Sequence, residues 1–134
     1  MQSKIKKLKN PEGVQWIDHL PREELVKRYQ ESTVCVVPSL WENYPYVCLE
    51  ALACGKAVVA SDVGGLKRII QHGRNGILVP PGSSKSLGEA LVLLLKDAQF
   101  RKQLADQARV SIEKEYTPEF VAHRAMEIYD KILR

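Results

Sequence analysis

The sequence predicts an α/β fold: a doubly wound, Rossmann-like parallel sheet followed by C-terminal helices. Three observations carry this. Residues 34–37, 57–60 and 77–79 are short apolar runs without polar alternation, the pattern of strands buried on both faces. Each run is followed by turn residues and then by a helical pattern. The last third of the chain shows only helical periodicity. The organisation expected is a basic arm at residues 1–10, a βα core at 11–82 and C-terminal helices at 83–134.

The elements follow in order. Residues 14–17 read as a first short strand. Residues 21–30 read as a helix, with Pro21 near its start and Glu23 and Glu24 at the positive end of its dipole. Leu25, Val26 and Tyr29 form its apolar face. The β-branched run at 34–37 ends at Pro38 and Ser39. A loop at 40–44 leads to a helix at 45–54 closed by Gly55. The strand at 57–60 is followed by Gly64 and Gly65, which open a helix over 66–71. Asn75-Gly76 turns the chain into the strand at 77–79, which Pro80 and Pro81 stop. Ser83 caps a helix whose apolar face is Leu87, Leu91 and Leu94 or Leu95. Phe100, Leu104 and Ala108 mark a second helix. Thr117 caps a third, with Pro118 at its first position and Phe120, Ile128 and Ile132 on its apolar side.

Composition narrows the class. The 134 residues are 45% hydrophobic and 27% charged, an ordinary balance for one globular domain that needs no disulfide or metal staple. The longest apolar run, 90–95, is too short to cross a bilayer. The net charge of +4 comes entirely from Lys4, Lys6, Lys7 and Lys9, because the rest of the chain is balanced. A nucleic-acid-binding domain carries its excess as a patch through the fold, so no nucleic-acid partner is expected. The arm reads as a solvated terminus, with weak contact to an acidic membrane surface as the alternative. Cys35, Cys48 and Cys54 lack metal-ligand spacing and sit among apolar neighbours, which fits a reducing cytoplasm. No secretory signal is visible. The location expected is cytoplasmic, with a peripheral position on the inner membrane face as an extension.

The chemistry lies between Pro38 and Gly65. Glu42 and Glu50 flank a strand-to-helix turn. With Pro45 in the first helical turn, the N–H groups of Tyr46, Val47 and Cys48 are expected to be free at the positive end of a helix dipole, a site for an anion. That site follows the C-terminal end of a parallel strand, where open α/β sheets bind ligands. Glu42 is placed to accept from sugar hydroxyls, and Glu50 from paired ribose hydroxyls. Spacing alone is weak: two glutamates eight positions apart are commonly two solvated charges, and Gly64-Gly65 is explained by a tight turn.

The assembled string is more specific. Pro38-Ser39, Glu42, Pro45, Leu49-Glu50-Ala51, Ala53, Gly55, Val58-Val59, Ser61, Gly64-Gly65 and Asn75-Gly76 together resemble the donor-binding, C-terminal domain of the family 4 retaining glycosyltransferases. The resemblance runs from about Val14 to the C-terminus. It implies a GT-B fold of two facing Rossmann-like domains, and transfer of a sugar from a UDP- or GDP-linked donor with retention at the anomeric carbon. It implies that Glu42 contacts the transferred sugar and Glu50 the ribose. Asn43, Tyr44 and Pro45 would approach the sugar, the backbone of Tyr46 and Val47 the diphosphate, and Pro38 and Ser39 the base. Relatives commonly have Phe-Gly where this chain has Tyr44-Pro45, and a glycine where it has Asp18-His19. Neither glutamate is assigned as a nucleophile, and no catalytic residue is assigned.

The resemblance also implies that two strands of the domain, with their diphosphate-neutralising arginine and lysine, map to no residue here. Lys67 and Arg68 follow the glycine pair but read as an exposed helix face. The strand at 14–17 would then lack its partner, the edge of the run at 34–37 would be bare, and self-association or a complementing N-terminal fragment is expected. Phe120, Tyr129 and Leu133 would be partly exposed. The chain contains no Asp-x-Asp, so no metal clamp and no cofactor beyond the nucleotide sugar is expected. The alternative to an enzyme of unknown acceptor is a non-catalytic nucleotide-sugar-binding module or half of a split enzyme. A nucleotide-sugar epimerase of GT-B fold fits the motif string less well. Of the histidines, His19 lies at a strand end facing the cleft, while His72 and His123 read as turn and helix residues.

Overall fold

The computed structural model describes residue 6 and residues 9–133. The basic arm falls largely outside them: Lys4 and Lys7 are not described, and Lys6 and Lys9 are exposed. In chain order the elements are α1 (Arg22–Glu31), β1 (Cys35–Val37), α2 (Tyr46–Ala53), β2 (Val58–Ser61), α3 (Leu66–Ile69), β3 (Ile77–Val79), α4 (Ser84–Lys96), α5 (Ala98–Glu115) and α6 (Pro118–Leu133).

The sheet among the described residues has the order β1-β2-β3, parallel throughout. Val36 is in register with Val59, and Ala60 with Leu78. β2 is central, and all four of its residues are buried. Its alternation divides the core in two. Val58 and Ala60 face a cluster with Cys48, Leu52, Leu66 and Ile69, from α2 and α3. Val59 faces Ile77, Val79, Ala90, Leu94 and Leu104, from β3, α4 and α5. Helices therefore cover both faces of the sheet, which is the doubly wound arrangement the sequence predicts. α5 serves both clusters, Leu104 packing into one and Ala108 into the other.

Local signals account for most boundaries. The Ser83 hydroxyl accepts from Ser86 N–H at 3.2 Å and caps α4. The Asp97 carboxylate accepts from Phe100 N–H at 2.8 Å and caps α5. Thr117 Oγ1 accepts from Phe120 N–H at 3.2 Å at the start of α6. Gly55, at φ 65°, takes the left-handed position that ends α2. On α4 the open choice between Leu94 and Leu95 resolves to Leu94, which is fully buried while Leu95 is exposed.

The first expected strand is a correction. Residues 14–17 are not a strand: a short 3-10 turn at Pro11–Gly13 precedes them, and Val14, Trp16 and Ile17 are exposed. A strand exists only with a hydrogen-bonding neighbour, and no described residue pairs with this segment. The bare outer edge expected at β1 is present, since β1 pairs with β2 alone among the described residues. Phe120, Tyr129 and Leu133 are exposed, as expected.

Candidate functional site

The C-terminal ends of β1, β2 and β3 open onto one edge of the sheet. Pro38, Ser61, Val79 and Pro80 line a groove of about 200 Å³ there, closed on one side by Ser83 and Leu87 of the following helix start. Ser61 is 2% exposed, so its hydroxyl belongs to the floor of this edge. The chain leaves β1 through Pro38 and Ser39 and crosses the edge as the loop that carries Glu42.

That loop is seated by the glycine pair. Gly65 N–H donates to the Glu42 carbonyl oxygen at 2.9 Å. A Cβ on Gly64 would lie 1.9 Å from that same oxygen, and one on Gly65 would lie 2.1 Å from the Asn43 carbonyl oxygen. No side chain fits at either position. Gly64 has a second reason to be glycine, a φ of 38°. The pair is therefore more than a turn into α3: it fixes the height of the Glu42 backbone over the sheet edge. The Glu42 carboxylate is held in turn. Ser39 Oγ donates to Oε2 at 3.4 Å, and the backbone N–H of Asn43 donates to Oε1 at 3.2 Å.

The start of α2 differs from the expectation. Pro45 is the N-cap, with φ −83° and ψ 81°, rather than a residue of the first helical turn. Those angles make an inverse γ-turn, in which Tyr46 N–H donates back to the Tyr44 carbonyl at 3.0 Å. The Pro45 carbonyl accepts from Cys48 N–H at 3.0 Å and from Leu49 N–H at 3.1 Å. Of the three N–H groups expected to be free, those of Tyr46 and Cys48 are thus engaged. Val47 N–H remains without a protein partner among the described residues. Tyr44 and Tyr46 stack edge to face, with ring centroids 5.0 Å apart. Both rings are exposed, as are Leu40 and Trp41 earlier in the loop.

Glu50 lies on the exposed side of α2. Its Oε2 accepts from the Tyr29 hydroxyl of α1 at 3.1 Å. Burial, reinforced by the charge of Glu50, raises the Tyr29 phenol well above its ordinary range, so it remains a donor. Between the two glutamates, Cys48 is fully buried. Its thiol is pushed up to about 12 by burial first, then by Cys35 and Glu42.

The remaining candidates lie apart from this edge chemistry. Lys67 and Arg68 are exposed on α3. His19 is exposed. His72 Nδ1 accepts from Leu78 N–H at 3.0 Å and holds the turn before β3. His123 pairs with Glu127 at 3.3 Å on α6. Among the described residues no three His, Cys, Asp or Glu side chains converge as a metal site. No helix of the described residues is long and apolar enough to cross a membrane. Sequence reasoning missed two contributors: Tyr29, assigned only to an apolar helix face, and the glycine pair as a seat for the loop. Neither relation is local, so no spacing rule announces it.

Comparison with known proteins agrees with this architecture. Alpha-maltose-1-phosphate synthase of Mycolicibacterium smegmatis is 34% identical over 127 residues, covering 90% of this chain and 33% of that protein. The sucrose-phosphate synthase structure from Thermosynechococcus elongatus superposes with a TM-score of 0.89 at 29% identity, over 98% of this chain and 33% of that one. Anabaena HepE, solved in complex with UDP-glucose, gives a TM-score of 0.73 at 25% identity, over 78% of this chain and 29% of that one. The chain thus spans about a third of the length of these proteins. Residues 1–111 match the family described as glycosyl transferases group 1. With that match over most of its length, and a parallel sheet shared with GT-B-like glycosyltransferases, the chain belongs to the group 1 glycosyltransferases.

Proposed function

We propose that the chain is the donor-binding, C-terminal part of a family 4 type retaining glycosyltransferase. It binds a UDP- or GDP-linked sugar for transfer to an acceptor bound elsewhere. The observation that carries this reading is the Glu42 loop. A carboxylate with both oxygens oriented, by the Ser39 hydroxyl and by the Asn43 backbone N–H, sits over the C-terminal edge of a parallel sheet, on a backbone locked by Gly64 and Gly65. An ordinary solvated glutamate needs none of these constraints. The UDP-glucose complex of HepE supports the choice of ligand class.

In this reading Glu42, Asn43, Tyr44 and Pro45 face the donor sugar, and Glu50 takes the ribose hydroxyls. Pro38 and Ser39 lie on the base side of the groove. The diphosphate meets the N–H of Val47 and the dipole of α2, with Tyr46 contributing from its backbone only if its γ-turn opens. Stabilising the departing diphosphate is the main catalytic demand in such a transfer.

The engaged N–H groups of Tyr46 and Cys48 favour a second reading, binding without transfer, because they leave a thin grip on the diphosphate. Calorimetric titration with UDP and GDP tests the donor site, and Glu42→Ala is expected to weaken a UDP- or GDP-linked sugar more than the free nucleotide. Equal effects on both would remove Glu42 from the sugar subsite. Sugar transfer or donor hydrolysis by the chain alone would exclude the binding-only reading.

A further inference from the structure

The Tyr29–Glu50 hydrogen bond joins residues 21 apart in sequence and spans two helices. The tyrosine is firmly anchored. Its ring packs against the core cluster of β1, α2 and α3. The turn it belongs to is tied down at its C-terminal end, where Ser32 Oγ donates to the Tyr29 carbonyl at 2.8 Å and Lys56 Nζ donates to the Gln30 carbonyl at 2.7 Å. The hydroxyl therefore arrives at Glu50 from a fixed position. Glu50 itself is exposed and makes no ion pair among the described residues. Without Tyr29 it would be a three-torsion side chain moving in solvent.

We infer that Tyr29 is a positioning residue for the nucleotide site: its hydroxyl holds the Glu50 carboxylate in the orientation that receives the two ribose hydroxyls of the donor. The inference rests on the proposed role of Glu50. A carboxylate has about four acceptor sites on its two oxygens. Tyr29 occupies one site on Oε2, leaving enough capacity for two hydroxyl donors. A side chain already fixed in its binding rotamer does not lose that freedom when ligand arrives, and this preorganisation appears as affinity. The ligand feature being read is the vicinal diol of a ribonucleoside diphosphate, so the effect of Tyr29 must vanish when the diol is removed.

The test uses the chain with UDP and GDP as probes, each beside its 2′,3′-dideoxy counterpart, titrated into wild type, Tyr29→Phe and Glu50→Gln. Tyr29→Phe keeps the packed ring and deletes only the hydroxyl. The expected result is a 3- to 10-fold weaker Kd for the ribonucleotide, on the order of losing one preorganised hydrogen bond, with the dideoxy Kd unchanged. The ratio of the dideoxy Kd to the ribonucleotide Kd therefore falls, and should fall similarly in Glu50→Gln. An equal loss for both ligands in Tyr29→Phe, beside a collapsed ratio in Glu50→Gln, would overturn the inference and leave Tyr29 as a strut between α1 and α2. An unchanged ratio in Glu50→Gln would overturn the ribose role of Glu50, and the inference with it.

Discussion

Gly65 shows at the residue scale how a single hydrogen can position a site. Its φ is an ordinary −66°, so conformational freedom does not require glycine there. The requirement is space, because an added Cβ would meet the Asn43 carbonyl oxygen at 2.1 Å and Pro45 Cδ at 3.0 Å. Gly65→Ala must push the Glu42 loop away from the sheet edge. The expected cost is about 1–3 kcal/mol of stability, the range for overpacking, measured by urea denaturation; on the proposed donor role it also weakens UDP binding beyond Gly88→Ala. Gly88 has open space around its Cβ position and serves as the control. Cys48 gives a second prediction. Its folded thiol is raised from about 9 to about 12, chiefly by burial. The unfolded chain therefore loses this proton first as pH rises. The stabilisation is complete below about pH 9 and is lost between about 9 and 12, by at most about 1.4 kcal/mol per pH unit. Urea midpoints at pH 8 and pH 10 should fall more steeply for wild type than for Cys48→Ala. Parallel declines would show that this thiol is not the titrating group.

At the scale of elements, Asn75 joins three of them. Its Oδ1 accepts from Gln71 N–H at 2.7 Å, and its Nδ2 donates to the Ile69 carbonyl and to Ser111 Oγ, both at 3.1 Å. The residue is 2% exposed and fastens the end of α3 and the turn before β3 to α5. Asn75→Ala strands buried polar partners and is expected to cost about 2–4 kcal/mol, from more than one lost hydrogen bond and its uncompensated desolvation. Asn75→Asp keeps the acceptor but sets a buried carboxylate oxygen against the Ile69 carbonyl, so at neutral pH it is expected to be at least as destabilising as Asn75→Ala in the same denaturation experiment. This residue also marks how far the sequence could be read. Asn75-Gly76 announces a turn, and the turn is there, because turn chemistry is local. The uninterrupted apolar runs give the strands for the same reason: a parallel strand buried on both faces must be apolar throughout. The segment at 14–17, apolar but for Gln15, has no pairing partner among the described residues, and composition cannot supply one. The first turn of α2 misled for a related reason, since Pro45 fits either N1 or an N-cap and only the γ-turn to Tyr46 decides. Tyr29 on Glu50 and Gly65 on Asn43 are tertiary contacts, invisible to any periodicity.

At the scale of the whole molecule the outer edge of β1 is the exposed liability. In a parallel strand, successive N–H groups point to opposite edges. Cys35 N–H donates to the Ala57 carbonyl at 2.9 Å, so it faces β2. Val36 N–H therefore points away from β2, toward the bare edge, and the residue is 36% exposed. Val14, Trp16 and Ile17, ahead of α1, lie exposed and pair with no strand among the described residues. α6 adds Phe120, Ile128, Tyr129, Ile132 and Leu133, each exposed. An unpaired edge with apolar surface around it is the usual template for pairing with another chain or segment. We expect the chain to self-associate at micromolar concentration, with sedimentation velocity showing species heavier than a monomer. Val36→Pro separates edge pairing from apolar clustering. Proline removes the outward N–H, costs no hydrogen bond to β2, and demands of Cys35 only the extended backbone it already has. If the edge drives association, Val36→Pro moves the population toward monomer, while Ile132→Lys on α6 leaves it associated. If α6 drives it, the two outcomes exchange, and a wild-type chain that sediments as a single monomer would dismiss both.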